Sequence, residues 1–226
     1  MNIEKSLSDK FWEEKQIDFK YIQALSQKKS ISEIFSKLLI SRGVFEDNYD
    51  NYINPNLLNN LPDPFELKDM KKGIERCIEA LKNNEKIGRI ADYDVDGGAS
   101  AALLYKWFEN FKIKPTIYIP DRDKEGYGPN IEAMSKLSLA HDLIICVDCG
   151  TMSDNPITKA KNNNCHVIVI DHHQGGDKNT KADALVNPNR LDEKSELKFL
   201  CAAGVTFLLV VALNRELKKL LNQFLI

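Results

Sequence analysis

The sequence has no surplus of positive charge. Its 31 lysines and arginines are outnumbered by 33 aspartates and glutamates, for a formal net charge of -2. A surface that grips nucleic acid by bulk phosphate neutralisation needs a clear Lys/Arg excess, so this charge balance excludes one. Any nucleic-acid contact must be local or metal-assisted. Cysteine is sparse and irregular, with Cys77, Cys146, Cys149, Cys165 and Cys201 making an odd five. With no signal peptide in view, that argues against a disulfide framework and for reduced thiols in a cytosolic protein. Cys146 and Cys149 have the C-x-x-C spacing of a redox or zinc half-site. However, Cys146 lies inside a strand-like run and no second pair faces it. Long apolar runs are also missing. Residues 199–213 come nearest, but a membrane span needs roughly 20 apolar residues, and this shorter stretch, with Thr206 inside it, reads better as a buried helix, so no membrane is expected as a partner.

What is present fits a globular protein. Hydrophobic residues make up 43% and charged residues 28% of 226 positions, enough for one good-sized domain, or a domain with a small appendage. Residues 1–85 read as a helical extension, charged on one side, with no chemistry of its own. Ser30-Ile31-Ser32-Glu33 offers an N-cap with an acid in the first turn, followed by Ile34, Leu38 and Leu39 at helical spacing. Prolines at 55, 62 and 64 interrupt the pattern. A second helix is predicted over 67–81, with Met70, Ile74, Cys77, Ile78 and Leu81 as its buried stripe.

From residue 86 the period changes. Apolar runs of strand length occur at 87–91, 116–119, 143–147 and 167–170, and the intervals are long enough for helices. This alternation predicts an α/β fold, a parallel sheet flanked by helices with right-handed crossovers, over 86–226. Ligands of such sheets sit beyond the carboxyl ends of the strands.

The first run ends in Asp92-Tyr93-Asp94-Val95-Asp96-Gly97, three carboxylates at alternate positions before a helix-like segment at 99–111. Acids crowded this way repel one another, and a bound divalent cation is the usual remedy. An EF-hand loop would need a bidentate Glu at its twelfth position, where this chain has Leu103. The phosphorylated-aspartate loop of haloacid-dehalogenase-type phosphatases is a second rival. The later strand ends decide between these readings. The second delivers Pro120-Asp121-Arg122, the third Asp148-Cys149-Gly150 and the fourth Asp171-His172-His173. One Asp after a strand is usually a helix N-cap, but four successive charged or metal-ligating ends are poorly explained by independent capping. Carboxylates with imidazoles at one rim suit Mn²⁺ or Mg²⁺, and the number of ligands suggests two ions.

Taken together, Asp92 to Gly97, Val147-Asp148-Cys149-Gly150 and Asp171-His172-His173 resemble the successive motifs of the DHH phosphoesterase superfamily. The likeness is greater to its branch of bacterial single-strand-specific exonucleases. It extends through Ser41-Arg42-Gly43-Val44, Leu61-Pro62-Asp63-Pro64, Glu125-Gly126-Tyr127-Gly128, Val186-Asn187-Pro188 and Leu200-Cys201-Ala202-Ala203-Gly204-Val205. The dehalogenase reading offers no reason for Asp171-His172-His173 and falls. The resemblance implies that Asp94, Asp96, Asp148 and His172 are metal ligands, with Asp92 a further ligand or supporting acid. His173 would stabilise or protonate the scissile phosphate, with Asp171 orienting its neighbours. Arg122 and Tyr127 would contact the nucleic acid. The implied activity is two-metal hydrolysis that removes 5′ nucleotides from single-stranded DNA in recombination and repair.

Family enzymes continue past the last helix with another metal-site Asp, a second domain and a nucleic-acid-binding domain. The chain is therefore expected to be an N-terminal portion, one carboxylate short at its site. Ala91 stands where the family usually has Gly. Two alternatives remain open: a catalytically silent module that binds metal or a partner, and a small-oligonucleotide phosphodiesterase. The apolar face of the last helix predicts self-association.

Overall fold

The computed structural model describes residues 5–224. The chain divides into two compact units, Met1–Leu61 and Pro62–Ile226.

The first unit holds helices α1 (Phe19–Lys29), α2 (Glu33–Ser41), α3 (Glu46–Ile53) and α4 (Leu57–Asn60). Local side chains set where they begin. Asp18 caps α1 by accepting from Lys20 N, and Ser32 caps α2 by accepting from Phe35 N. The buried face of α2 differs from the expected stripe. Ile34 is 77% and Leu38 49% exposed, whereas Leu39 and Ile40 are buried with Ile22 and Leu25 of α1 and with Val44. The apolar residues of α2 run more than halfway round the helix, and packing against α1 selects which of them are covered.

The second unit opens with a 3₁₀ turn (Pro64–Glu66) and helix α5 (Met70–Lys82). Met70, Ile74, Cys77 and Ile78 are buried along α5 as expected, and Leu81 is half-buried. Then follow β1 (Ile87–Ala91), α6 (Val95–Glu109), β2 (Thr116–Tyr118), α7 (Ile131–Ser138), β3 (Leu143–Val147), α8 (Asp154–Asn162), β4 (His166–Ile170), β5 (Ala184–Val186) and α9 (Ala202–Phe224). The five strands form one wholly parallel sheet in the order β2-β1-β3-β4-β5. The expected α/β class and helical N-terminal stretch are both present. The short β5 was not anticipated, because three apolar residues after a polar loop carry little period.

Side-chain alternation along the strands divides the core. Ile90, Ile144, Cys146, Val167 and Val169 pack with Met134 and Leu137 of α7 and Ile157 of α8. On the other face α5, α6 and α9 pack together and against the sheet. Every residue of β1 and β3 is buried, the condition that makes central parallel strands continuous apolar runs. Each fully buried aliphatic side chain there contributes about 1.5–3 kcal/mol. Arg89 is the exception in β1. Its guanidinium, fully buried, donates to the carbonyls of Ala101 and Pro115 and lies over the Tyr105 ring, and burial lowers its pKa to about 10.

The register places the strand ends level with one another. Ala91 pairs with Val147, Val147 with Ile170, and Ile170 with Val186. The residues immediately beyond are Asp92, Asp148, Asp171 and Asn187, which therefore form a polar row along the carboxyl edge. Their amides extend the ladder: Asp148 N donates to Ile170 O at 2.9 Å and Asp171 N to Val186 O at 3.0 Å. The chain leaves β1 for β2 on one side and reaches β3 on the other, so the topological switch point lies between Asp92 and Asp148.

Candidate metal centre

The loop after β1 is shaped by two requirements. Asp94 accepts from Gly97 N at 2.9 Å and so caps α6, which begins at Val95 rather than at residue 99. Gly97 has no room for a side chain, since a Cβ there would lie 2.4 Å from the Asp92 carbonyl oxygen. The glycine thus lets the acid-bearing loop fold back over the helix N-terminus. The third strand ends differently. Asp148 takes a left-handed conformation (φ 59°), one that Asp tolerates better than most residues. Gly150 follows at φ 110°, with Cys146 and Val169 within 3.3 Å of any Cβ. Asp148 is thereby turned inward beneath the acids of the first loop.

Ligand atoms of Asp92, Asp94 and Asp148 all lie within 4.8 Å of one another, and so do those of Asp148, His172 and His173. Asp148 is common to both groupings. It is 1% exposed, and neither of its carboxylate oxygens has a hydrogen-bond partner among the described residues. His172 Nε2 stands 3.3 Å and His173 Nδ1 3.9 Å from its Oδ1. Burial, reinforced by the charges of Asp96 and Asp94, pushes its pKa up to about 8. Burial also raises Asp92, whereas the Gly97 amide lowers Asp94. An orphaned, buried carboxylate among oxygen and imidazole donors is the donor set of a hard divalent cation, and the residues present fit one.

Asp171 meets the opposite environment. Its Oδ1 accepts from His172 N (2.7 Å), His173 N (3.2 Å) and His173 Nδ1 (2.8 Å), and its Oδ2 from Thr151 N (3.0 Å) and Thr151 Oγ1 (2.6 Å). Burial alone would raise its pKa, but the bonds from His173 and Thr151 outweigh it and hold the group at about 2. The same contact raises His173. A carboxylate saturated this way orients its neighbours, and the Nδ1 proton of His173 is assigned by this acceptor.

Asp96 stands at the border of the cluster. Its two oxygens accept from Ala202 N (2.8 Å) and Ala203 N (2.7 Å), capping α9, while Oδ2 lies 3.5 Å from His172 Nε2. Tyr127 reaches the cluster from the loop after β2. Its hydroxyl donates to the Asp148 carbonyl at 3.0 Å and lies 3.1 and 3.2 Å from the ring nitrogens of His173. Gly126 and Gly128, both at positive φ, allow that loop its turn. Arg122 stays exposed, its guanidinium 5.6 Å from the Tyr93 ring beside Asp92. His141 and His166 lie outside the cluster: His141 joins Leu137 O to Thr116, and His166 starts β4 facing Asp183. Cys146 and Cys149 are buried free thiols, and burial raises both well above the usual range, which leaves them inert. Thr151, Asn187 and Asn189 had no role assigned from sequence. Asn187 stood in the Val186-Asn187-Pro188 stretch of the resemblance, whereas Thr151 and Asn189 carried no signal of their own.

Residues 86–225 match the DHH family, N-terminal domain. The chain belongs to the DHH family. The single-stranded-DNA-specific exonuclease RecJ of Bacillus subtilis (strain 168) is 32% identical over 212 residues, which are 91% of this chain and 26% of that protein. A crystal structure of exonuclease RecJ bound to manganese is similar at 32% identity and a TM-score of 0.62, over 67% of this chain and 38% of that one. RecJ in complex with Mn²⁺ from Thermus thermophilus shares the fold at 24% identity and a TM-score of 0.71, over 89% and 28% of the two chains. This DHH chain is thus a RecJ homologue spanning about a quarter of the length of the curated relatives it matches. No described helix is long and apolar enough to cross a membrane.

Proposed function

We propose that this chain carries the metal-dependent phosphodiesterase centre of a 5′ to 3′ exonuclease acting on single-stranded DNA in the cytoplasm, in recombination and repair. The observation that supports it most is Asp148: a buried carboxylate with no hydrogen-bond partner among the described residues, facing Asp92 and Asp94 on one side and His172 and His173 on the other. In this reading Asp94, Asp96, Asp148 and His172, with Asp92 beside them, hold Mn²⁺ or Mg²⁺ as two ions. When bound, the ions supply Lewis acidity toward the phosphate and bring a water's pKa toward neutrality. They also bring the positive charge that a net -2 chain lacks.

The protein's own groups do the rest. Asp171, locked by Thr151, fixes the His173 ring through Nδ1, which leaves Nε2 to meet a phosphate oxygen and hold or deliver a proton there. Tyr127 carries a polar tip into the site, and its ring offers a stacking surface to a base. Arg122, exposed over the Tyr93 ring, has the planar fork that pairs with a phosphate of the entering strand. The domain division of this reading is a helical extension over 1–85 and a DHH catalytic domain from 86 onward.

The test is Mn²⁺-dependent release of nucleotides from 5′-labelled single strands, with Asp148→Ala as control. Release by the native chain and none by the variant supports the reading. Equal release by both overturns it, and no release by either leaves a metal- or partner-binding role.

A further inference from the structure

We propose that the Asn187-Pro188-Asn189 turn after β5 is a positioning clamp that sets the two histidines of the centre; this rests on the metal reading above. His172 and His173 sit in the irregular segment between β4 and β5, so neither strand nor helix fixes their backbone. Their amides are held from one side, both donating to Asp171 Oδ1. Their carbonyls are held from the other side by this turn. Asn187 Nδ2 donates to His173 O at 2.8 Å, and Asn189 Nδ2 donates to His172 O at 2.6 Å.

Asn187 also acts through the side chains. Its Nδ2 donates a second time, to Thr151 Oγ1 at 2.7 Å, and the Thr151 hydroxyl donates in turn to Asp171 Oδ2 at 2.6 Å. Asp171 in turn receives His173 Nδ1. The direction of each bond follows from the one before, because the carboxylate only accepts and the hydroxyl has one proton to give. The remaining Asn187 oxygen accepts from Asn189 N at 2.7 Å, which ties the two arms of the clamp together. Asn187 is fully buried and occupies the fourth place in the row Asp92, Asp148, Asp171, Asn187. An amide is required there: an aspartate could not donate, and it would set a charge against the His173 carbonyl. Pro188 fixes its own φ and restricts the backbone of Asn187 before it.

The experiment uses the chain as it is, with Mn²⁺ alone as probe. Free Mn²⁺ is followed by electron paramagnetic resonance during titration, and the histidine ring nitrogens are followed by ¹⁵N NMR in metal-free protein. Asn187→Asp keeps the shape but removes the donor, whereas Asn189→Ala frees the His172 carbonyl, with a longer bond to Lys198 O, and stands in if the first variant does not fold. Both are expected to lower Mn²⁺ affinity about 10- to 100-fold. Asn187→Asp is expected to turn the single Nδ1-protonated state of His173 into a mixture, and Asn189→Ala to shift the His172 ring signals. A side chain that served stability alone would leave both readouts in place. Unchanged ring signals in the folded variants overturn the clamp, as does unchanged affinity where native binding depends on Asp148. If the native chain binds no Mn²⁺ through Asp148, the metal reading fails by itself, and the ring signals still decide the clamp.

Discussion

Asp148 and Asp171 follow adjacent strands in the same register, yet among the described residues one carboxylate accepts no hydrogen bond and the other accepts five. The difference separates a group kept for a ligand from a group that holds others in place. It also means that the two residues respond to substitution in opposite ways.

At pH 8 in EDTA, Asp148→Asn is expected to unfold at a higher temperature than the native chain. The change removes a buried, unpaired carboxylate, and relief of about 1–2 kcal/mol corresponds to a rise of ~2 °C or more for a protein of this size. The same variant is expected to lose its stabilisation by Mn²⁺. Asp171→Asn should do the reverse in EDTA, lowering the midpoint because the Thr151 and His173 donors lose their charged acceptor. Thermal denaturation with and without Mn²⁺ checks all of this.

The metal-free chain is expected to lose stability as pH rises from about 4 to about 8. Asp148 has a folded pKa of about 8, above its unfolded value. The folded state therefore holds the extra proton, and its contribution is complete below the unfolded value and gone above the folded one. His173, also raised, has the same sign. Asp171 is depressed to about 2, so its contribution is present above its unfolded value and is lost only in acid, as pH falls toward 2. Mn²⁺ affinity should rise with pH up to about 8, since the ion displaces the Asp148 proton. Urea denaturation at pH 5 and pH 8 in EDTA measures the first effect, and Mn²⁺ titration across the range the second.

Gly97→Ala is expected to cost about 1–3 kcal/mol, the range for overpacking. The new methyl would meet the Asp92 carbonyl at 2.4 Å, a backbone atom with nowhere to swing. The acid loop must then move, so Mn²⁺ binding should weaken as well. Gly98→Ala is the control, since nothing lies within 4 Å of a Cβ there. Equal behaviour of the two variants would refute the steric account.

Arg190→Met is expected to destabilise the fold by about 3 kcal/mol. The buried Arg190 donates to Asp69 (2.7 Å), Asp192 (2.6 Å) and the Leu185 carbonyl, joining the start of α5 to the end of β5. Burial by itself would raise the Asp69 carboxyl, and the bonds from Lys72 and Arg190 keep it below its ordinary value. Without Arg190, the largely covered Asp69 is left to the solvent-exposed Lys72. Urea denaturation of the native and variant chains measures the difference.

Much of this was legible in the residues. The strand runs at 87–91 and 143–147 are apolar, Arg89 apart, because both faces of a central parallel strand are covered, and they form β1 and β3 with those same bounds. The acids after them stood out for the same reason: a charge directly after a buried run has one rim to go to. The α2 face and β5 were less legible. Ile34, Leu38, Leu39 and Ile40 are all apolar, and the sequence does not say which of them α1 will cover. Ala184, Leu185 and Val186 are too few to show a period, and only pairing with β4 makes them a strand.

By itself the sequence determined the alternation of strands and helices, and the chemical types delivered to the carboxyl edge, because both depend on local order along the chain. Only the tertiary structure decided how those groups divide their work. Asp148, Asp171 and Asn187 are equivalent as polar residues after strands. Which of them is left bare, which is saturated and which holds its neighbours depends on bonds that join the separate segments after β3, β4 and β5: Thr151 to Asp171, Asn187 to Thr151 and Asn189 to His172. Hydrogen-bond satisfaction is a property of the assembled edge, so it appears only once the strands have taken their order and register.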